Sequence, residues 1–345
     1  MTKKLLIVLF ILVFSIQGTI LTAEVSKKAL KQVTKAEKAI QKKDLAKAFE
    51  HYKKAIEIAP EYAEPYYGIA RLMVGQRQYE EAIKNLNKAL ENQPEFPKAS
   101  ELLVKIYFNY GQQHQRSQEL GKANEYYQKA IDVPAALTAA KDVYAKSIYQ
   151  IGLNAYTLQN FEESNKKLID FTKIEGIDTE LAEFYKTAIY VVGINLTQMK
   201  KNDESTEYLL KYLELDKAAP NPQLAPIANF LVGSNNFQKL ENDVEKIKKD
   251  KEKEKKKRIA ELTKKHEAQV LPYLLKAIEL KGDLEPAFMT LGNFYYYSNN
   301  MEKTKEVYES LISKFPGSPD IAMYKSFLED INKEIEKAKK TKKKK

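Results

Sequence analysis

AEPYYGIARLMVGQRQYEEAIKNLNKALENQP, residues 63–94, decides how the rest of the chain is read. Tyr66, Ile69, Ala70 and Met73 stand at helical spacing in its first half, and Ala82, Leu86 and Ala89 do so in its second. That arrangement predicts two helices joined by a turn. The small residues let the helices approach closely, and Pro94 ends the second because proline cannot continue it. One period earlier Ala48, Tyr52, Ala55 and Pro60 repeat the second half, and Pro60 to Pro94 is a spacing of 34 residues.

Later stretches carry the same pattern. A third unit has Leu103, Val104 and Tyr107, then Ala123, Tyr127 and Ala130, with a connection around Gln112 to Gly121 that reads as about seven residues too long. A fourth is marked by Ile148, Ile151, Gly152, Phe161, Leu168 and Phe171. Ile189, Val192, Gly193, Leu196 and Leu209 mark a fifth. A sixth is split, with Val232 and Gly233 before a charged insertion and Val270, Leu274 and Ala277 after it. Phe288, Leu291, Gly292, Tyr295, Tyr308, Leu311 and Pro316 make a seventh. Ser164, Ser205 and Thr304 replace the alanine of the pattern.

This pattern resembles the tetratricopeptide repeat, a helix–turn–helix unit of about 34 residues. The resemblance implies an all-α, right-handed solenoid of about seven units, at residues 29–60, 63–94, 97–134, 145–177, 186–217, 226–282 (with the insertion 241–266) and 285–316. Ser318-Pro319-Asp320 reads as a helix start, and Ile321, Tyr324, Leu328, Ile331 and Ile335 as a terminal capping helix over 319–337. The array spans 27–332, and a Lys-rich tail follows at 333–345.

Residues 1–23 read as a secretory signal. Lys3 and Lys4 precede an apolar run from Leu5 to Ile16, and Leu21-Thr22-Ala23 offers a small-residue cleavage site. The alternative is an uncleaved inner-membrane anchor over Leu5 to Leu21, short against the roughly 20 residues a membrane span needs. Either way the expected location is exported, periplasmic or envelope-associated. The absence of cysteine leaves helix packing as the source of stability.

The net charge of +10 is concentrated in two places. The insertion 241–266 has eleven Lys/Arg against seven Asp/Glu, and the tail 333–345 has eight Lys against two Glu, so the remainder sums to zero. Only Arg71, Arg77, Arg116 and Arg258 are arginine, which speaks against specific nucleic-acid recognition. The tail is expected either to be a solvated, disordered segment or to touch an anionic membrane or polymer weakly. The insertion lacks Gly and Pro, and it predicts a helical hairpin in which Leu240, Val244 and Ile247 face Ile259 and Leu262. It reads either as a docking arm or as a tolerated insertion.

Catalysis, metals and cofactors are not expected. The three histidines, His51, His114 and His266, lie in different units, and there is no cysteine or phosphate-binding glycine loop. Asn195-Leu196-Thr197 matches a glycosylation acceptor but falls within a packed helix.

The resemblance also implies where a protein or peptide partner binds, namely on a concave groove lined by the first helices. The carboxylate-gripping variety is not matched, because Val33, Glu37, Tyr67, Arg71 and Leu102 occupy its positions. The groove positions are instead aromatic: Tyr67, Phe108, Tyr149, Tyr156, Tyr190, Phe230, Phe237, Tyr296 and Tyr297. Aromatic side chains offer flat apolar area for a partner. The expectation is a non-catalytic scaffold, adaptor or assembly factor of the bacterial envelope, or else a structural subunit docked through the insertion, or a membrane-anchored scaffold.

Overall fold

The turn after six of the seven first helices is the most regular feature of the molecule. Lys43, Arg77, Gln118, Gln159, Lys200 and Asn299 all adopt a left-handed backbone, with φ between 58° and 61°. In each case the next amide bonds back to a carbonyl five residues earlier, as in Asp44 N to Ala39 O at 2.9 Å and Lys201 N to Leu196 O at 2.8 Å. This is the Schellman ending, which satisfies the last carbonyls of a helix. The second helix then starts at once, and Asp44, Asn160 and Asn300 cap it by accepting from the amides of Lys47, Glu163 and Lys303.

The computed structural model describes residues 27–247 and 251–343, so the expected signal or anchor at 1–23 lies outside the described residues. Among the described residues there are 17 helices and no strand. No helix among them is long and apolar enough to cross a membrane. The chain forms two compact units, divided between Ile151 and Gly152.

The first unit pairs α1 (Lys27–Gln41) with α2 (Leu45–Ile58), α3 (Ala63–Gly75) with α4 (Tyr79–Asn92), and α5 (Pro97–Arg116) with α6 (Leu120–Ile131). A single turn, α7 (Ala136–Ala139), precedes α8 (Lys141–Thr157), whose first part belongs to this unit. The seams are built from small residues opposite large ones. Ala48, Ala55, Ala82, Ala89, Ala123 and Ala130 are fully buried, and so are Tyr52, Leu86 and Tyr127. A Cβ on Gly68 would stand 2.3 Å from the Tyr52 ring, and one on Gly111 2.5 Å from Tyr127. Only glycine fits against those rings.

One expectation about this unit is corrected. The connection around Gln112 to Gly121 is not extended. Residues up to Arg116 are helical, and the turn before Leu120 is the same Schellman turn as elsewhere. The extra residues lengthen α5 to 20 residues, against 13 in α3.

The second unit continues with α9 (Phe161–Thr172), the single turn α10 (Ile177–Glu180), α11 (Ala182–Gln198) and α12 (Asn202–Leu215). It goes on through α13 (Leu224–Lys246), α14 (Glu252–Leu280), α15 (Glu285–Tyr297), α16 (Met301–Lys314) and the capping helix α17 (Ile321–Lys343). Gly152 and Gly193 lie against Leu168 and Leu209, each 16 residues on, whereas Gly233 meets Leu274, 41 residues on. The difference is a 25-residue insertion that leaves the register of the pair intact. It lengthens α13 and α14, and Leu240 and Val244 pack in one cluster with Val270, Leu274, Ile259 and Leu262.

The capping helix buries Tyr324, Ile331 and Ile335. It also overturns the expectation of a disordered tail from residue 333, because α17 runs on to Lys343. Lysine is a good helix former, and its charge is favourable near a helix C-terminus.

Candidate interaction surface

In the first unit, successive first helices each contribute a hydrogen-bonding side chain. Glu37 on α1 accepts from the Tyr52 hydroxyl, in a short bond, and pairs with Arg71 Nη1 on α3 at 3.3 Å. The Arg71 guanidinium lies 5.7 Å from the centroid of the Tyr67 ring. On α5 the Gln115 carbonyl accepts from Tyr127 Oη at 2.6 Å, and its amide donates to Gln150 Oε1 on α8 at 3.2 Å. Burial first, and then the Glu37 carboxylate, push the Tyr52 hydroxyl well above the usual tyrosine range, so it stays a donor. Glu37 and Arg71 are 41% and 42% exposed, so their ion pair is worth at most about 1 kcal/mol and remains open to competition by a partner.

Of the nine expected groove aromatics two are core residues, five are half-buried and two are exposed. Tyr149 and Phe237 are only 6% and 5% exposed, and are core residues. Phe108 packs on Tyr127 with ring centroids 5.5 Å apart, Tyr190 on Tyr212 at 5.1 Å, and Tyr67 edge-on to Phe96 at 5.3 Å. Burial pushes the Tyr190 hydroxyl up to about 12. Phe230 packs against the cluster of Phe237 and Leu240, and Tyr297 stands edge-on to Phe237. Only Tyr156 and Tyr296, at 38% and 41%, are exposed. The physical reason lies in the register. Tyr67, Phe108, Tyr149, Tyr190 and Phe230 recur at one point of each first helix, 40 or 41 residues apart. Phe108 and Tyr190 meet the paired second helix there, where a flat ring fills the crevice, whereas Tyr67 meets Phe96 at the start of the next first helix.

Among the described residues no group of three or more His, Cys, Asp or Glu side chains is placed to hold a metal ion. The histidines are engaged separately: His51 with Gln32 at 2.9 Å, His114 with Glu119 at 2.6 Å, and His266 with Asp243 at 3.4 Å.

Two family models, both described as Tetratricopeptide repeat, match residues 39–106 and 286–318. In these two stretches the chain carries tetratricopeptide repeats. No curated protein matches it. Solved structures similar to it include the C-terminal part of a TPR repeat-containing protein from Cytophaga hutchinsonii, 16% identical with a TM-score of 0.44, covering 84% of this chain and 97% of that one. Pseudomonas aeruginosa pilF is 17% identical with a TM-score of 0.41, covering 76% and 96%. YrrB, described as a TPR protein with an unusual peptide-binding site, is 19% identical with a TM-score of 0.37, covering 69% and 96%. The likeness extends to helical repeats and not to what those proteins bind. Tetratricopeptide-repeat proteins are in general interaction scaffolds for protein or peptide partners, and generally non-catalytic.

Sequence reading missed a buried polar ladder in the second unit. Asn195 Nδ2 donates to Ser164 Oγ at 2.9 Å and to Asn165 Oδ1 at 2.8 Å. One repeat later Asn235 Nδ2 donates to Ser205 Oγ at 3.1 Å. Ser164 and Ser205 therefore do more than substitute for alanine: they receive the next repeat's asparagine. The signal was present as Gly152-Leu-Asn154, Gly193-Ile-Asn195 and Gly233-Ser-Asn235. Asn195 is 0% exposed, so the acceptor sequence it begins is closed in the folded chain.

Proposed function

We propose that this protein is a non-catalytic scaffold that holds an extended segment of a partner protein along the first-helix face of its first unit. The observation carrying this reading is the series Glu37, Arg71, Gln115 and Gln150, one hydrogen-bonding side chain from each of four successive first helices, with half-buried Tyr67 beside Arg71. Such side chains suit the repeating N–H and C=O groups of an extended chain, and Tyr67 offers apolar area. We further infer an exported, envelope-associated protein from the basic, apolar and small-residue order of residues 3–23. The Lys-rich end of α17 suits weak contact with an anionic surface.

A second reading, a structural subunit docked through the hairpin, is favoured by the packed seam of Leu240 and Val244 with Ile259 and Leu262, which makes that projection a built element. Crosslinked capture from native envelopes separates the two. Arg71→Ala with Gln115→Ala should abolish capture of the partner under the first reading and leave it unchanged under the second. Excision of the hairpin should do the reverse.

A further inference from the structure

We propose that the edge of the first unit formed by its helix–helix turns is a second docking surface, fitted to an acidic segment of a partner protein that carries two apolar anchor side chains. This surface uses neither Arg71 nor Gln115.

Two recesses open at that edge, each between the start of a second helix and the following first helix. The first, of about 250 Å³, is lined by Leu45 and Phe49 of α2 and by Leu72, Met73 and Gln76 at the end of α3. The second, of about 130 Å³, is lined by Tyr79 of α4 and by Ile106, Asn109, Tyr110 and Gln113 of α5. They are the same site one repeat apart, since Leu45 and Tyr79, Leu72 and Ile106, and Gln76 and Tyr110 are each separated by 34 residues. Both have an apolar floor and side-chain amides at the rim. Leu45 is 43% exposed.

Charge selects the partner. Lys42, Lys43, Arg77 and Arg116 lie in or beside the turns, are exposed, and have no carboxylate within ion-pair distance among the described residues. Two carboxylates of the same edge are held in ion pairs, and a third, Glu80, is held by the neutral Tyr110 hydroxyl and keeps its charge beside the second recess. Asp44 pairs with Lys47 at 2.7 Å, Glu119 with His114 at 2.6 Å and Lys122 at 3.0 Å, and Glu80 accepts from Tyr110 Oη at 2.7 Å. Open cations around apolar recesses call for carboxylates around apolar anchors.

The probe is a fluorescein-labelled peptide of about 12 residues, glutamate throughout except for two leucines four positions apart, which span about 13 Å when extended. Fluorescence anisotropy with the full chain should show binding that weakens at least tenfold in the variant Lys43→Glu, Arg77→Glu, Arg116→Glu. Replacing both leucines of the peptide by serine should weaken it similarly. Raising salt from about 0.05 to about 0.5 M should weaken wild-type binding as well, which reads the electrostatic part without any variant. Arg71→Ala with Gln115→Ala should leave binding unchanged, so failure here and failure of the first-helix reading are separable. No binding at about 1 mM, equal binding of a lysine version of the peptide, indifference to the charge reversals, or loss in the Arg71 and Gln115 variant would each overturn the proposal.

Discussion

Glycine does opposite things at two places in one helix pair. At Gly111 a Cβ would stand 2.5 Å from Tyr127, a fully buried ring with no room to retreat. At Gly121, in the first turn of α6, nothing lies within 4 Å of the added atom. Gly111→Ala should therefore destabilise the protein by about 1–3 kcal/mol through overpacking. Gly121→Ala should stabilise it by about 0.5–1 kcal/mol through helix propensity. Urea denaturation of the two variants checks both, and equal shifts of the same sign would refute the seam described here. The residue scale is also where sequence reading went wrong. Tyr149 and Phe237 look like groove residues by position, but an aromatic ring at a repeat junction gains more from filling a crevice than from facing water. No symbol in the sequence separates the two outcomes.

The charged insertion is an element in its own right. Because Gly233 and Leu274 meet as Gly193 and Leu209 do, the 25 extra residues extend two helices without disturbing the seam beneath them. Pro272 lies inside α14, where it has no amide to donate. Asn236 of α13 donates across to the Gln269 carbonyl at 3.2 Å, beside that interruption. Removing residues 242–266, with Glu241→Gly to supply a turn and the fully buried Leu240 kept, should leave a cooperative unfolding transition. Circular dichroism should lose only the helix of the excised residues. A collapse of cooperativity would mean that the hairpin is part of the core. The hairpin and its facing residues were legible beforehand, since apolar positions recurred in a run free of Gly and Pro. The length of α5 was not, because a surplus of seven residues can enter a helix or a loop with the same composition.

At the scale of the whole molecule, stability against alkali follows from buried phenols. Burial pushes the hydroxyls of Tyr127, Tyr190, Tyr308 and Tyr324 each up to about 12, against about 10 in an unfolded chain. The unfolded chain loses these protons first as pH rises, so it binds fewer protons than the native state. Stability is then fully present below pH 10 and is lost as pH climbs from about 10 through 12. Urea midpoints should be flat with respect to these groups up to about pH 9 and fall above 10, while phenolate absorbance of the native protein lags behind that of the unfolded protein. A flat profile to pH 12 would contradict the burial of these rings.

By itself the sequence determined that this protein is an all-α array of paired helices, because the spacing of apolar, small and proline residues is a local property repeated many times. It also announced the place of the insertion and the capping helix, whose periodicities are equally local. The division at Ile151 and the engagement of Ser164 and Ser205 by asparagines 30 or 31 residues away were decided only by the tertiary structure. So was the burial of Tyr149 and Phe237. These depend on which side chains meet across helices, where close packing allows one occupant per crevice and most buried polar groups find a partner.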